Sequence, residues 1–329
     1  MDFLDDFLVR DSLSDDGTRP SQGLPYASPD MICYRQITDP QNFFKSNYTQ
    51  DPNIAVEIGQ PNFFYVRGKN LGTNTLSRYM FVFWSTASLL MDPSKWINNK
   101  MKVLKGTQWV EYVEVLDVPP GGIGVGNDYF TWQPPTQEHT CLVGVASRTT
   151  IPEVPDHFDS NYTFVDWVRN TRSVCWRNLT LVNQYPDPQY VTLYQFGNLD
   201  NNNVPMFFKV QASDNIPAGT TIAATCDPLG IHAQTIIKAD DPNSRKIFTG
   251  GDCPAKFKGT ITVAAYLPKG ATWPPNGQIS TWAYISAQLN EPIAVYGAHP
   301  VRLGIPKEHL KDWGDGLLTE LGNCSFRFI

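Results

Sequence analysis

Apolar and aromatic residues in this chain come in short runs, each stopped by Gly, Pro, Asn or Asp. The clearest is Gln60–Asn70 (QPNFFYVRGKN), which ends at Asn70-Leu71-Gly72-Thr73 and gives way to Tyr79-Met80-Phe81-Val82-Phe83-Trp84-Ser85. Bulky side chains fill a pleated, half-buried surface and Gly permits the turn, so strand, tight turn, strand is expected here. Further strands are expected at 31–37, 109–116, 129–132, 141–146 and 176–182. The turns between them fall at Asp39-Pro40, Pro119-Pro120-Gly121-Gly122 and Gln133-Pro134-Pro135. Phe164 to Val168 read as a short helical turn. Short strands with such punctuation are the signature of an immunoglobulin-like sandwich.

The second half repeats the style, with strands expected at 190–196, 206–211, 220–225, 234–238, 246–248, 260–266, 281–286 and 292–296. Residues 306–321 read as a helix, and 324–329 as an alternating closing strand that returns to its own sheet or adds to the edge of another molecule's. Residues 1–30 hold seven Asp against two Arg. Within them Phe3, Leu4, Phe7 and Leu8 follow helical spacing, which suits either a short docking helix or a tail packed on its own domain. The expected architecture is all-β: two tandem immunoglobulin-like β-sandwiches with short terminal helices. The expected divisions are an acidic segment over 1–30, sandwiches over 31–185 and 186–305, and a helix and strand over 306–329.

Composition narrows the function classes. A chain of 329 residues is long enough for two domains with proper cores. The net charge of −6, without a basic stripe, argues against nucleic acid. No apolar run is long enough to span a bilayer as a helix. The N-terminal residues lack a basic start, a long apolar stretch and a small-residue cleavage site, so the chain is expected in the cytosol or exported without such a signal.

Candidate chemistry is thin. Cys33, Cys141, Cys175, Cys226, Cys253 and Cys324 form no CxxC pair, and Cys226 with Cys253 is the one pairing considered for a disulfide. His139, His157, His232, His299 and His309 are scattered, with no HExxH, and no GxSxG offers a serine nucleophile. The glycines over Gly121–Gly126 precede a strand-like run rather than a helix, so a loop is expected there and not a phosphate cradle. Asp200 with Asn201, Asn202 and Asn203, and Asp240 with Asp241 and Asn243, hold the oxygen ligands calcium prefers, yet read first as hairpin tips. Glu111 and Glu114 alternate across a strand and do not pair. Trp84, Trp132, Trp176 and Trp282 are expected in the core; Trp96, Trp109, Trp273 and Trp313 suit either the core or a sugar-stacking platform. No cofactor is expected.

Several segments resemble the immunoglobulin-like modules of bacterial surface and secreted proteins, including the CARDB-type adhesion-related domain. They are Tyr65-Val66-Arg67-Gly68-Lys69-Asn70-Leu71-Gly72-Thr73, Phe81-Val82-Phe83-Trp84, Val118-Pro119-Pro120-Gly121-Gly122, Phe130-Thr131-Trp132 and His139-Thr140-Cys141-Leu142. Cys175-Trp176-Arg177-Asn178-Leu179-Thr180 is similar to the last strand of a variant appended to bacterial proteases. The resemblance implies a non-catalytic adhesion, accessory or assembly role and transfers no catalytic residue. The expectation is therefore a non-enzymatic building block acting through a protein partner or self-assembly, with Phe3, Leu4, Phe7, Leu8, Phe326 and Phe328 as its contacts. The alternative is a secreted adhesin or toxin-associated module that binds a glycan or a cell surface.

Overall fold

The computed structural model describes residues 6–86, 92–134, 140–183, 189–305 and 316–328. The chain is all-β, built as two sandwiches of immunoglobulin-like kind. Its first half supplies β1 (Phe7–Leu8), β2 (Met31–Tyr34), β3 (Val56–Glu57), β4 (Asn62–Asn70), β5 (Leu76–Ser85), β6 (Val103–Lys105), β7 (Gln108–Val110), β8 (Val113–Val118), β9 (Ile123–Val125), β10 (Phe130–Trp132), β11 (Cys141–Ser147), β12 (Val174–Asn178) and β13 (Thr180–Asn183). Helix α1 (Pro40–Ser46) follows β2, and α2 (Asn161–Asn170) precedes β12. The second half supplies β14 (Gln189–Gly197), β15 (Val204–Ala212), β16 (Thr221–Cys226), β17 (Ile231–Ile236), β18 (Lys246–Cys253), β19 (Lys258–Tyr266), β20 (Gln278–Ala287) and β21 (Leu317–Phe328).

Strand β4, which carries Phe63, Phe64 and Tyr65, is the centre of one sheet, with β1 and β2 on one edge and β9 and β10 on the other. It is apolar on both faces because both are covered. Phe64 and Val66 point into the main core, whereas Tyr65 lies under α1 with its ring 4.8 Å from Phe44. Asp39 caps α1 by accepting the Asn42 N–H, and Pro40 opens it, the two signals that start a helix. The facing sheet runs β12-β11-β5-β8. Gly144 in β11 lets the two sheets approach, because a Cβ there would sit 2.8 Å from both Met31 Sδ and Cys175 Sγ. On the far side of that sheet Phe83 and Trp176 are covered by Trp96 and by Phe164 of α2.

The N-terminal segment is part of this sandwich. Asp30, fully buried, accepts Arg10 Nη2 at 2.6 Å, Arg10 Nε at 2.9 Å and Arg67 Nε at 2.8 Å. The remaining N–H groups of Arg67 reach the carbonyls of Phe44, Asn47, Pro29 and Gln50, so all five guanidinium donors are used.

The two sandwiches share a sheet. Its order is β18-β15-β20-β21-β13-β3, so the C-terminal strand lies between β20 and two strands from the first half, parallel to β13. The four-stranded sheet β14-β19-β16-β17 closes the second sandwich over it, through contacts such as Tyr190 on Phe326 at 4.8 Å and Phe196 on Phe208 at 4.9 Å.

Several expectations are corrected. Among the described residues the two α-helices are short, as expected, and lie within the chain. Phe7 and Leu8 form a strand, not a helix, because their backbone pairs with Asn70 and Lys69. Within the expected helix 306–321, residues 306–315 lie outside the described residues and 317–321 belong to β21, where pairing with β20, and a bridge from Leu318 to Ala298, outweigh the helical preference of Leu and Glu. The run 292–296 is a 3-10 turn opened by Pro292, and 109–116 is divided between β7 and β8.

At the join between the sandwiches, Tyr26 donates a hydrogen bond to Glu320, which lies across from Tyr284 beside a bulge in β21. Burial pushes the Glu320 carboxyl up from 4.5 to about 7, against smaller opposing effects of the Tyr26 hydrogen bond and the Lys209 charge. A folded-state pKa above the unfolded one means the folded state binds the extra proton. Stability is thus expected to fall as pH rises from about 4.5 to about 7 and then to level. Glu320→Gln should flatten that window in urea titrations run across it; an unchanged profile would refute the assignment. Asp30→Ala leaves two buried guanidinium groups uncompensated and is expected to cost about 3–5 kcal/mol, read from the shift in the urea midpoint.

Candidate functional site

The residues singled out as partner contacts are used inside the chain. Phe7 is fully buried, with its ring against Gly68, and Leu8 is buried beside it. Phe328 stacks on Trp273 at 3.8 Å and Phe326 packs on Tyr190, so the closing strand returns to its own sheet. These four side chains serve the chain's own core, which corrects the expectation of a latch. Phe3 and Leu4 lie outside the described residues.

Other candidates resolve into structural roles. Asp241 caps the turn Pro242–Arg245 by accepting the Asn243 N–H. Glu111 pairs with Lys100 at 2.8 Å and Glu114 with Lys105 at 2.7 Å, and the Lys105 hydrogen bond holds the Glu114 carboxyl below its usual range. His157 lies 3.3 Å from Asp159, and His299 accepts the Val301 N–H; His139 and His309 fall outside the described residues. All six cysteines are buried thiols outside any disulfide, Cys226 and Cys253 included. Burial pushes the Cys253 thiol up to about 12. Among the described residues no group of three or more His, Cys, Asp or Glu is placed to hold a metal ion. Gly124 belongs to β9 and packs on Val115 and Val118.

Two surfaces and one cleft remain. The first surface is the outward face of the sheet β14-β19-β16-β17. Its register gives three rows: Leu193, Thr262, Thr225, His232; Val191, Ala264, Ala223, Gln234; and Gln189, Tyr266, Thr221, Ile236. None of these positions is Asp, Glu, Lys or Arg. Val191, Leu193 and Ile236 are 46%, 45% and 57% exposed, with Thr and Ala forming a low floor between them. The alternation is visible in the sequence of β14, but apolar residues on both parities hide which face is solvent. The second surface is the β6–β7 hairpin. There Trp109 is 59% exposed beside a depression of about 400 Å³ lined by Lys100, Lys102, Thr131, Trp132 and Gln133. Trp96, by contrast, is buried.

The cleft holds about 330 Å³. Ser160 and Tyr162 at the start of α2 form one wall, and Asp200, Asn203 and Pro205 before and within β15 form another. Ser286, Gln288 and Glu291 close the third side over a floor that includes Ile285 and Ile293. Asp200 was legible only as one member of an acidic tip; its partners come from segments far away in sequence.

No family model and no curated protein matches the chain. Among solved structures it is similar to the collagen adhesin of S. aureus (8% identity, 83% of this chain and 89% of that one, TM-score 0.20). It is also similar to the Enterococcus faecalis MSCRAMM ACE (10% identity, 84% and 92%, TM-score 0.21) and to a blue copper oxidase of Nitrosomonas europaea (10%, 84% and 75%, TM-score 0.23). Superpositions at these scores support no inference about ligand or chemistry.

Proposed function

We propose that the chain is a non-catalytic binding module that acts through protein–protein contact, as a building block or accessory of a larger assembly. The charge-free rows around Leu193, Val191 and Ile236 on the outward face of β14-β19-β16-β17 carry this reading. Val, Leu and Ile held in water on a flat sheet are unfavourable by roughly 25 cal/mol for each Å² left uncovered, and contiguous exposed apolar surface marks contact sites. The absence of charge removes the desolvation cost that would oppose docking. The likeness to CARDB-type modules in the first sandwich points the same way.

Size-exclusion chromatography with light scattering tests it. The intact chain is expected to assemble above its 36.9 kDa monomer mass or to co-elute with its partner. Leu193→Lys should weaken that association while changing stability by no more than about 0.5 kcal/mol, as for an ordinary surface site. A variant that associates as the parent does would refute the face as the contact.

Trp109 favours a second reading, an adhesin-like module that stacks a sugar ring on this exposed indole. Trp109→Ala is then expected to abolish signals on a glycan array without altering the assembly state. An array on which parent and variant are both silent would remove it.

A further inference from the structure

The cleft between α2 and the 288–293 turn has a lining that selects for one kind of ligand, and this is independent of the outward sheet face. Asp200 and Glu291 both border it, and no Lys, Arg or His is among its described lining residues. Lys256, whose charge acts on Asp200 from outside the lining, turns its Nζ to the carbonyls of Leu199 and Asp159. Each carboxylate has a structural bond already: Asp200 accepts the Asn161 N–H at the start of α2, and Glu291 accepts the Gln288 N–H at 2.8 Å. A carboxylate offers about four lone-pair sites, so both retain acceptor capacity. Ser160, Ser286 and Asn203 add further polar groups at the rim, while Ile285 and Ile293 keep the floor apolar.

Two acids border one apolar hollow, and Asp200 is partly withdrawn from water. Burial pushes its carboxyl above the usual range, against the Asn161 hydrogen bond and the Lys256 charge, with a smaller upward push from Glu291. A bare inorganic cation would satisfy the acids but leave the floor wet, and a neutral ligand would fill the floor but leave the acids' remaining acceptor sites unused. We propose that the cleft binds an alkylammonium or alkylguanidinium group, its cationic head between Asp200 and Glu291 and its short apolar stem on Ile285 and Ile293. Such a group is carried by a free amine or by a lysine or arginine side chain of another protein.

The test is calorimetric titration of the full chain with 1,5-diaminopentane, with lysine blocked at both its α-amino and carboxyl groups, and with 1-pentanol as the uncharged control. Saturable binding of a charged probe and none of 1-pentanol is expected. Asp200→Asn and Glu291→Gln should each weaken it at least about tenfold, the loss typical of a hydrogen bond to a charged group. Ser286→Trp, which fills the hollow and leaves both acids in place, should abolish it. Should Asp200→Asn loosen α2 by circular dichroism, Glu291→Gln and Ser286→Trp decide alone. Tighter binding of the diamine points to a free amine, and equal or tighter binding of the blocked lysine to a protein side chain; either supports the site. No saturable binding of either charged probe, or binding untouched by Glu291→Gln and Ser286→Trp, overturns it.

Discussion

The Asp30 carboxylate, held between Arg10 and Arg67, is the constraint on which the first sandwich depends. Arg67 lies in the central strand β4, Arg10 follows the edge strand β1, and Asp30 immediately precedes β2. One buried carboxylate therefore fixes three segments that the chain must bring together before the sheet can close. Because Arg67 also donates to the carbonyls of Phe44, Asn47 and Gln50, in and just after α1, the same guanidinium sets the height of that helix above β4. A buried charge pair contributes little net energy relative to a well-packed apolar core, but a broken one is costly. Its effect is to make alternative packings of the N-terminal segment unfavourable, which is a gain in specificity.

The second constraint is the placing of β21. A C-terminal strand between β20 and β13 joins the halves through backbone hydrogen bonds as well as side-chain contact. The bulge that leaves Glu320 across from Tyr284 brings that carboxyl to Tyr26, so the junction contains a titratable group rather than an inert apolar seam. Closing it requires residues hundreds of positions apart, so the contacts are strongly non-local and the second sandwich is incomplete until the last segment is made.

The strands were legible wherever aromatic and β-branched residues clustered between turn residues, as in β4, β5, β11 and β19. What the sequence hid follows from long-range pairing. A lone Arg in Val66-Arg67-Gly68 reads as a solvent position until Asp30 is known to meet it. Leu317 to Leu321 favour a helix locally and become strand only because β20 stands beside them. Phe7, Leu8, Phe326 and Phe328 carry the apolar alternation of a docking segment, but nothing local tells whether the surface they meet belongs to the same chain. The candidate sites were hidden for the same reason: Tyr162, Asp200 and Glu291 converge only through the stacking of the two sandwiches.

With both described chain ends folded inward, the proposed recognition would fall to rigid sheet surfaces. That changes what kind of contact the chain suits. A disordered tail that orders on binding loses conformational entropy at that moment, whereas a four-stranded face is already ordered and loses mainly its hydration. The distribution of charge acts in the same direction. A net charge of −6 spread over the remaining surface keeps molecules apart in most orientations, while the charge-free rows around Leu193 and Val191 present no such opposition. Orientation is then selected by where repulsion is missing as much as by where apolar area is present, and specificity gained by excluding wrong geometries requires no long side chains at the contact.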